Sequence, residues 1–198
     1  MIAEADSAFG NLHCLVNCAA FTERGTILDT EPQFWDKMMD VNARAPFFLI
    51  QGAAKIMRRE HTAGAVASII SVAMHGGFPK IIAYSASKAA LAIVTRSAAY
   101  SLRFDRIRVN GLNIGWTDTP AEDIIQRTFH GAEDGWLERE EAKMPFGRLL
   151  KPREVARAVA FLCSDESGMM TGSLIDFDQT VQGMVDDPPD RAAAEAAE

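Results

Sequence analysis

Short, nearly continuous apolar runs alternate with longer segments of helical periodicity along this chain. Residues 12–20 (LHCLVNCAA), 65–72, 107–114 and 173–177 read as strands, with helices at residues 31–59, 83–104 and 152–163 between them. A strand apolar on successive residues is buried on both faces, which marks a parallel sheet. Each parallel pair needs a crossover, and right-handed crossovers lay helices on both faces of the sheet. The pattern therefore predicts an α/β fold built on a doubly wound parallel sheet. Ligands of such sheets bind outside the carboxyl ends of the strands, so residues just past each run are candidates for a site.

Asn17 and Ala19 follow the first run and Ser71 closes the second. An asparagine that ties loops together and a serine that caps a turn are the structural alternatives. In the helix at 31–59, Phe34, Trp35, Met38, Val41, Phe48, Leu49, Ala53 and Ile56 are expected on the buried side. Pro46 lies inside it and has no N–H, so the carbonyl of Asn42 loses its helical donor; a kink and a place for an ordered water are expected there. The helix at 83–104 is apolar on more than one side. That predicts helix-to-helix contacts between copies, a homodimer or homotetramer, with Leu91, Val94, Ala98 and Leu102 as the packing stripe. Residues 1–9 read as the last turns of a helix stopped by Gly10, and residues 121–144 as short helices forming a lid, with His130 an ordinary loop histidine. Residues 1–185 are expected to form one domain and the acidic, Ala/Pro-rich tail 186–198 to be disordered.

A chain of 198 residues with 48% apolar and 24% charged residues suits one soluble globular domain with a sizeable core. A net charge of -7 without a basic stripe argues against nucleic acid as a partner, and no apolar run is long enough to span a bilayer. Cys14, Cys18 and Cys163 show neither a paired framework nor four-ligand spacing. They read as reduced thiols of a cytoplasmic protein, Cys14 and Cys18 as buried, and no metal is expected.

The densest chemistry lies between Ser71 and Lys88, SVAMHGGFPKIIAYSASK. Tyr84 and Lys88 are one helical turn apart and share a helix face. A phenol titrates near ~10, and an ammonium beside it favours the phenolate, so Tyr84 is expected to have a lowered pKa and to serve as a general acid/base. The small residues Ser85, Ala86, Ser87, Ala89 and Ala90 let a flat ligand lie close to the helix. Taken alone, Tyr-x3-Lys also fits a surface pair at helical spacing.

Four motifs in order and spacing resemble the short-chain dehydrogenase/reductase family, from that family's fourth strand to its C-terminus. Asn17-Cys18-Ala19-Ala20 is similar to its Asn-Asn-Ala-Gly motif, Asn42 in DVNARAPF to its helix asparagine, and Ser71, Tyr84 and Lys88 to its Ser, Tyr-x3-Lys set. Ile114-Gly115-Trp116-Thr117-Asp118-Thr119-Pro120 is similar to its Pro-Gly segment, with isoleucine in place of proline, and residues 147–172 to its C-terminal signature; Asp178-Gln179-Thr180 stands where Asp-Gly-Gly is usual.

The resemblance implies a Rossmann-like fold, NAD or NADP as cofactor, and an oxidoreductase interconverting a small alcohol and a carbonyl, a sugar or polyol among the options. It implies Asn42, Ser71, Tyr84 and Lys88 as catalytic residues. Asn17, Ala19, Tyr84, Lys88, Gly115, Trp116, Thr117 and Thr119 would contact the cofactor. The family's two N-terminal βα units, with the glycine-rich phosphate turn, have no counterpart here, since neither G-x-x-x-G-x-G nor G-x-G-x-x-G occurs. An N-terminally truncated product, with one bare edge on its first strand, weak or absent dinucleotide binding and a tendency to aggregate, is the expectation. Two alternatives remain: a non-catalytic remnant or interaction protein that keeps the fold, and a nucleotide-sugar epimerase or dehydratase, which the signature at 147–172 disfavours.

Overall fold

A computed structural model describes residues 1–182. The tail at 186–198 lies outside the described residues. In chain order the elements are α1 (Ile2–Phe9), β1 (Cys14–Asn17), α2 (Pro32–Met39), a π turn (Asp40–Arg44), α3 (Ala45–Arg59), β2 (Ala65–Ile69), a short 3-10 turn (Val72–His75), α4 (Ile82–Leu102), β3 (Arg108–Ile114), α5 (Pro120–His130), α6 (Trp136–Glu141), α7 (Pro152–Cys163) and β4 (Leu174–Phe177). Gly10 ends α1 in the left-handed conformation at φ 69°, which a side chain at that position would disfavour.

The strands pair in the order β1-β2-β3-β4, all parallel, with Asn17 beside Ser68 and Asn113 beside Asp176 in register. Every residue of β2 is buried. On one face Val66 and Val109 pack against Ile50, Ala53 and Met57 of α3 and Ala99 of α4. On the other, Ala67, Ile69 and Leu112 meet Val155 and Leu162 of α7. Helices thus cover both faces, as the alternation of runs predicts.

The helix expected at 31–59 is two α-helices joined by the π turn. Ala45 N–H reaches back to Asp40, and Pro46 has no N–H, so the carbonyls of Val41 and Asn42 both lose their α-helical donors. The extra residue in that turn rotates α3 relative to α2. Beyond Met38 the buried positions are Asn42, Ala43, Pro46, Ile50, Ala53, Ala54, Ile56 and Met57, whereas an unbroken helix would have turned Leu49 to the place that Ile50 now holds. Phe48 is accordingly exposed, and Trp35 of α2 is exposed as well, both against expectation, while Ala53 and Ile56 are buried as expected.

Two further expectations are corrected. Cys14 and Cys18 are exposed rather than buried, because β1 pairs only with β2 among the described residues and Cys18 belongs to the loop that follows it. On α4 the stripe of Leu91, Val94, Ala98 and Leu102 faces this chain's own core; the outward apolar residues are Ile93, Tyr100 and, just beyond the helix, Phe104.

Candidate active site

β2 delivers Ser71 two residues beyond its end. There the hydroxyl caps the 3-10 turn by accepting from Ala73 N–H at 3.1 Å, and it lies near enough to the Tyr84 phenol to lower its pKa. Tyr84 and Lys88 lie in the first two turns of α4. Lys88 is 1% exposed, and its Nζ donates to the Ile69 carbonyl at 2.8 Å while lying 5.7 Å from the centre of the Tyr84 ring. Helix spacing and a strand end thereby bring serine, tyrosine and lysine together as the sequence predicts.

The electrostatics depart from expectation at Tyr84. Burial pushes its phenol above the ordinary value, against the nearby Ser71 hydroxyl and the Arg24 charge, which pull it down; Glu122 adds to the rise. Withdrawing water from the phenolate outweighs the groups that stabilise it, and the Lys88 ammonium, 5.7 Å from the ring centre, does not offset that loss. Burial also pushes Lys88 down, to about 8, with Cys18 in the loop after β1 opposing that fall.

Asn42 is fully buried in the π turn, and its side chain works as a clamp. Its Oδ1 accepts from Phe21 N–H at 2.7 Å, and its Nδ2 donates to the Phe21 carbonyl at 2.8 Å and to Ser87 Oγ at 3.0 Å. The loop after β1 is thus fixed to α4 beside Lys88. Asn17 is buried at the end of β1, donating to Ser68 Oγ at 3.2 Å, and its Oδ1 has no donor among the described residues. Ala19 is exposed in the same loop.

After β3, Gly115 is required by a close approach: a Cβ there would stand 1.9 Å from Asp178 Oδ1. The segment beyond it is pinned to residues 150–151, where Leu150 N–H donates to the Trp116 carbonyl at 3.0 Å and Asp118 N–H to the Leu150 carbonyl at 2.9 Å. Lys151 adds ion pairs to Asp118 and Glu141 at 3.0 and 2.8 Å. Thr117 Oγ1 donates to the Gly115 carbonyl at 2.9 Å, and Thr119 caps α5 by accepting from Glu122 N–H at 3.0 Å. Trp116 turns to Glu122, its Nε1 donating to Oε1 at 2.9 Å, and stacks on Trp136 with centroids 6.2 Å apart.

Two residues that the sequence reading passed over stand beside this group. Arg24 connects the loop after β1 to α5 through Glu122 and His130, so His130 is not a partnerless loop residue. The signal available in the sequence was Thr119-Pro120-Ala121-Glu122, a capping spacing that sets Glu122 in the first turn of α5. A cavity of about 320 Å³ lined by Gln126, His130, Trp136 and Arg139 adjoins this cluster without including Ser71, Tyr84 or Lys88.

These residues suit the nicotinamide ribose end of a dinucleotide. Lys88 has three N–H donors and one protein acceptor among the described residues, and Asn17 Oδ1 is a buried acceptor without a donor. Among the described residues no cluster of three or more His, Cys, Asp or Glu could hold a metal, and no helix is long and apolar enough to cross a membrane.

Comparison with known proteins gives the chain's family. A family model described as enoyl-(acyl carrier protein) reductase matches residues 1–181. An uncharacterized oxidoreductase of Thermotoga maritima is 35% identical over 179 residues, covering 90% of this chain and 70% of its own length. Among solved structures, a short chain dehydrogenase/reductase family protein superimposes with a TM-score of 0.76 at 30% identity, covering 90% of this chain and 70% of its own. The ligand-free aldohexose dehydrogenase of Thermoplasma acidophilum superimposes with a TM-score of 0.85 at 26% identity, covering 93% and 73%. The chain spans about 70% of the length of these relatives and belongs to the short-chain dehydrogenase/reductase family.

Proposed function

We propose that the site serves an NAD- or NADP-dependent oxidoreductase interconverting a small alcohol and a carbonyl, sugars and polyols falling within that class. The observation that carries the reading is the Ser71 hydroxyl beside the Tyr84 phenol, with the ammonium of Lys88 buried one helical turn further on and held to the end of the same strand. Bound nicotinamide dinucleotide supplies or accepts the hydride. Tyr84 gives a proton to the carbonyl oxygen in reduction and takes one from the hydroxyl in oxidation, while Ser71 holds that oxygen. Lys88 binds the nicotinamide ribose hydroxyls with its remaining N–H groups and keeps a positive charge near Tyr84. Asn42 fixes the loop after β1, and its carbonyl, short of a helical donor, holds a water for proton exchange with Lys88. Asn17, Ala19, Gly115, Trp116, Thr117 and Thr119 border the cofactor.

Replacing Tyr84 with Phe removes the acid/base, for which a loss of ~10²–10⁴ in turnover is expected across alcohols assayed with each dinucleotide. Undiminished turnover would show that Tyr84 is not the acid/base. The absence of a glycine-rich phosphate turn in the sequence favours a second reading, a non-catalytic protein that keeps the fold. Calorimetric titration separates the two: heat of binding with NAD or NADP supports the enzyme, and no heat with either supports the second reading.

A further inference from the structure

Arg24 sits where three parts of the chain converge. One residue later Gly25 N–H donates to the Lys80 carbonyl at 3.0 Å, and Gly25 bridges in parallel to Ile81, the residue before α4. Arg24 is thereby held at the end of the helix that carries Tyr84. Its Nη1 donates to the Thr22 carbonyl at 2.7 Å, its Nε to His130 Nε2 at 3.1 Å, and its Nη2 to Glu122 Oε1 at 3.5 Å. Burial and the neighbouring charges of Arg24 and Lys80 hold His130 low, in keeping with a neutral imidazole that accepts from Arg24. Glu122 is equally fixed: its Oε1 also accepts from Trp116 Nε1 at 2.9 Å and from Gln126 Nε2 at 2.7 Å.

What remains unused is chemically specific. The arginine and glutamate side chains are only 19% and 16% exposed, yet they meet at 3.5 Å, the loose limit of a hydrogen bond. Two of the five guanidinium N–H groups and the Oε2 of Glu122 have no protein partner among the described residues. A substrate entering here strips the remaining water from a donor and an acceptor of opposite charge. An apolar substrate replaces neither bond, and burying them unmet is costly. A carboxylate would satisfy Arg24 while being repelled by Glu122. A hydroxyl both accepts and donates, so one hydroxyl meets both groups. Trp116, bonded to Glu122 and half-buried, adds an indole beside them.

We propose that Arg24 and Glu122 are the specificity-determining pair of this site and that its substrates are polyhydroxylated, a second hydroxyl bridging an unused N–H of Arg24 and the Oε2 of Glu122 while the reacting oxygen faces Tyr84 and Ser71. This rests on the oxidoreductase reading above. A site built to bond a hydroxyl rejects the analogue lacking it by up to ~10⁴–10⁵. A single added contact at a partly exposed pair implies a smaller preference, on the order of 10².

The test compares ribitol with 2-pentanol, both five-carbon alcohols, in the chain and in its Arg24→Met and Glu122→Gln variants. Expected is a kcat/KM ratio favouring ribitol by on the order of 10², falling at least tenfold in each variant. A ratio near one, or a ratio that neither variant moves, overturns the proposal while leaving the oxidoreductase reading intact. The second readout needs no turnover: ribitol titrated against tryptophan fluorescence, to which Trp116 beside Glu122 contributes. If no alcohol is turned over with either dinucleotide, the oxidoreductase reading fails. Saturable ribitol binding that weakens in both variants would then still support the pair, and no binding would overturn it. Glu122→Gln keeps the shape of the side chain, so its result stands even if Arg24→Met does not fold.

Discussion

The ammonium of Lys88 donates to the backbone carbonyl of Ile69 at 2.8 Å, so a charge in the second turn of α4 is anchored to the end of the strand that delivers Ser71. Few groups could hold serine, tyrosine and lysine in one arrangement with so short a link. The carbonyl stabilises the charge only in part, since burial still pushes Lys88 down to about 8.

That shift predicts an unusual pH dependence of stability. Between about 8 and the ordinary lysine value of 10.5 the unfolded chain binds more protons at this position than the folded one, so stability rises as pH climbs through that window. Below it the buried charge costs about 3 kcal/mol. Urea midpoints at pH 7 and pH 10 should show Lys88→Met with the flatter dependence and no less stable than the parent at pH 7. A parent and variant with parallel pH profiles would contradict it.

Asn42→Ala removes the partners of both backbone groups of Phe21 at once. Leaving polar groups unmet costs roughly 1–3 kcal/mol each, so a loss of about 2–6 kcal/mol is expected by urea unfolding, with faster hydrogen exchange at the Phe21 amide. A change below about 1 kcal/mol would leave the clamp without energetic weight.

Gly115→Ala sets a methyl against Asp178, whose Oδ1, Cγ and Cβ stand 1.9, 2.4 and 2.9 Å from the new atom. Overpacking of this kind costs about 1–3 kcal/mol. Asp178→Ala removes the two closest atoms, so the double variant should recover part of the loss in a double-mutant cycle; strictly additive effects would place the strain elsewhere.

Homo-oligomers are expected to use the outward residues Ile93, Tyr100 and Phe104, which are 65%, 70% and 85% exposed, together with Phe47 and Phe48 of α3. Sedimentation should show a dimer or tetramer at micromolar concentration, shifted toward monomer by Tyr100→Glu. A parent that sediments as a monomer would refute this.

The alternation of apolar runs with helical segments determined the α/β class, because period and burial of parallel strands are local properties of the sequence. Tyr84 and Lys88 were equally legible: a spacing of one helical turn fixes a shared face without any knowledge of the neighbours. Pro46 announced the loss of a hydrogen bond in the same way. Whether that loss gives a kink or a π turn depends on what the following helix packs against, so the rotation that exposes Phe48 and buries Ile50 was decided by tertiary structure. The direction of the Tyr84 shift was decided there too, since desolvation is set by everything that surrounds a group and not by its sequence neighbour. Arg24 and Glu122 lie 98 positions apart and carry no shared pattern; tertiary contacts such as the Gly25 bridge to Ile81, the Arg24 bond to His130 and the Thr119 cap of α5 bring them together.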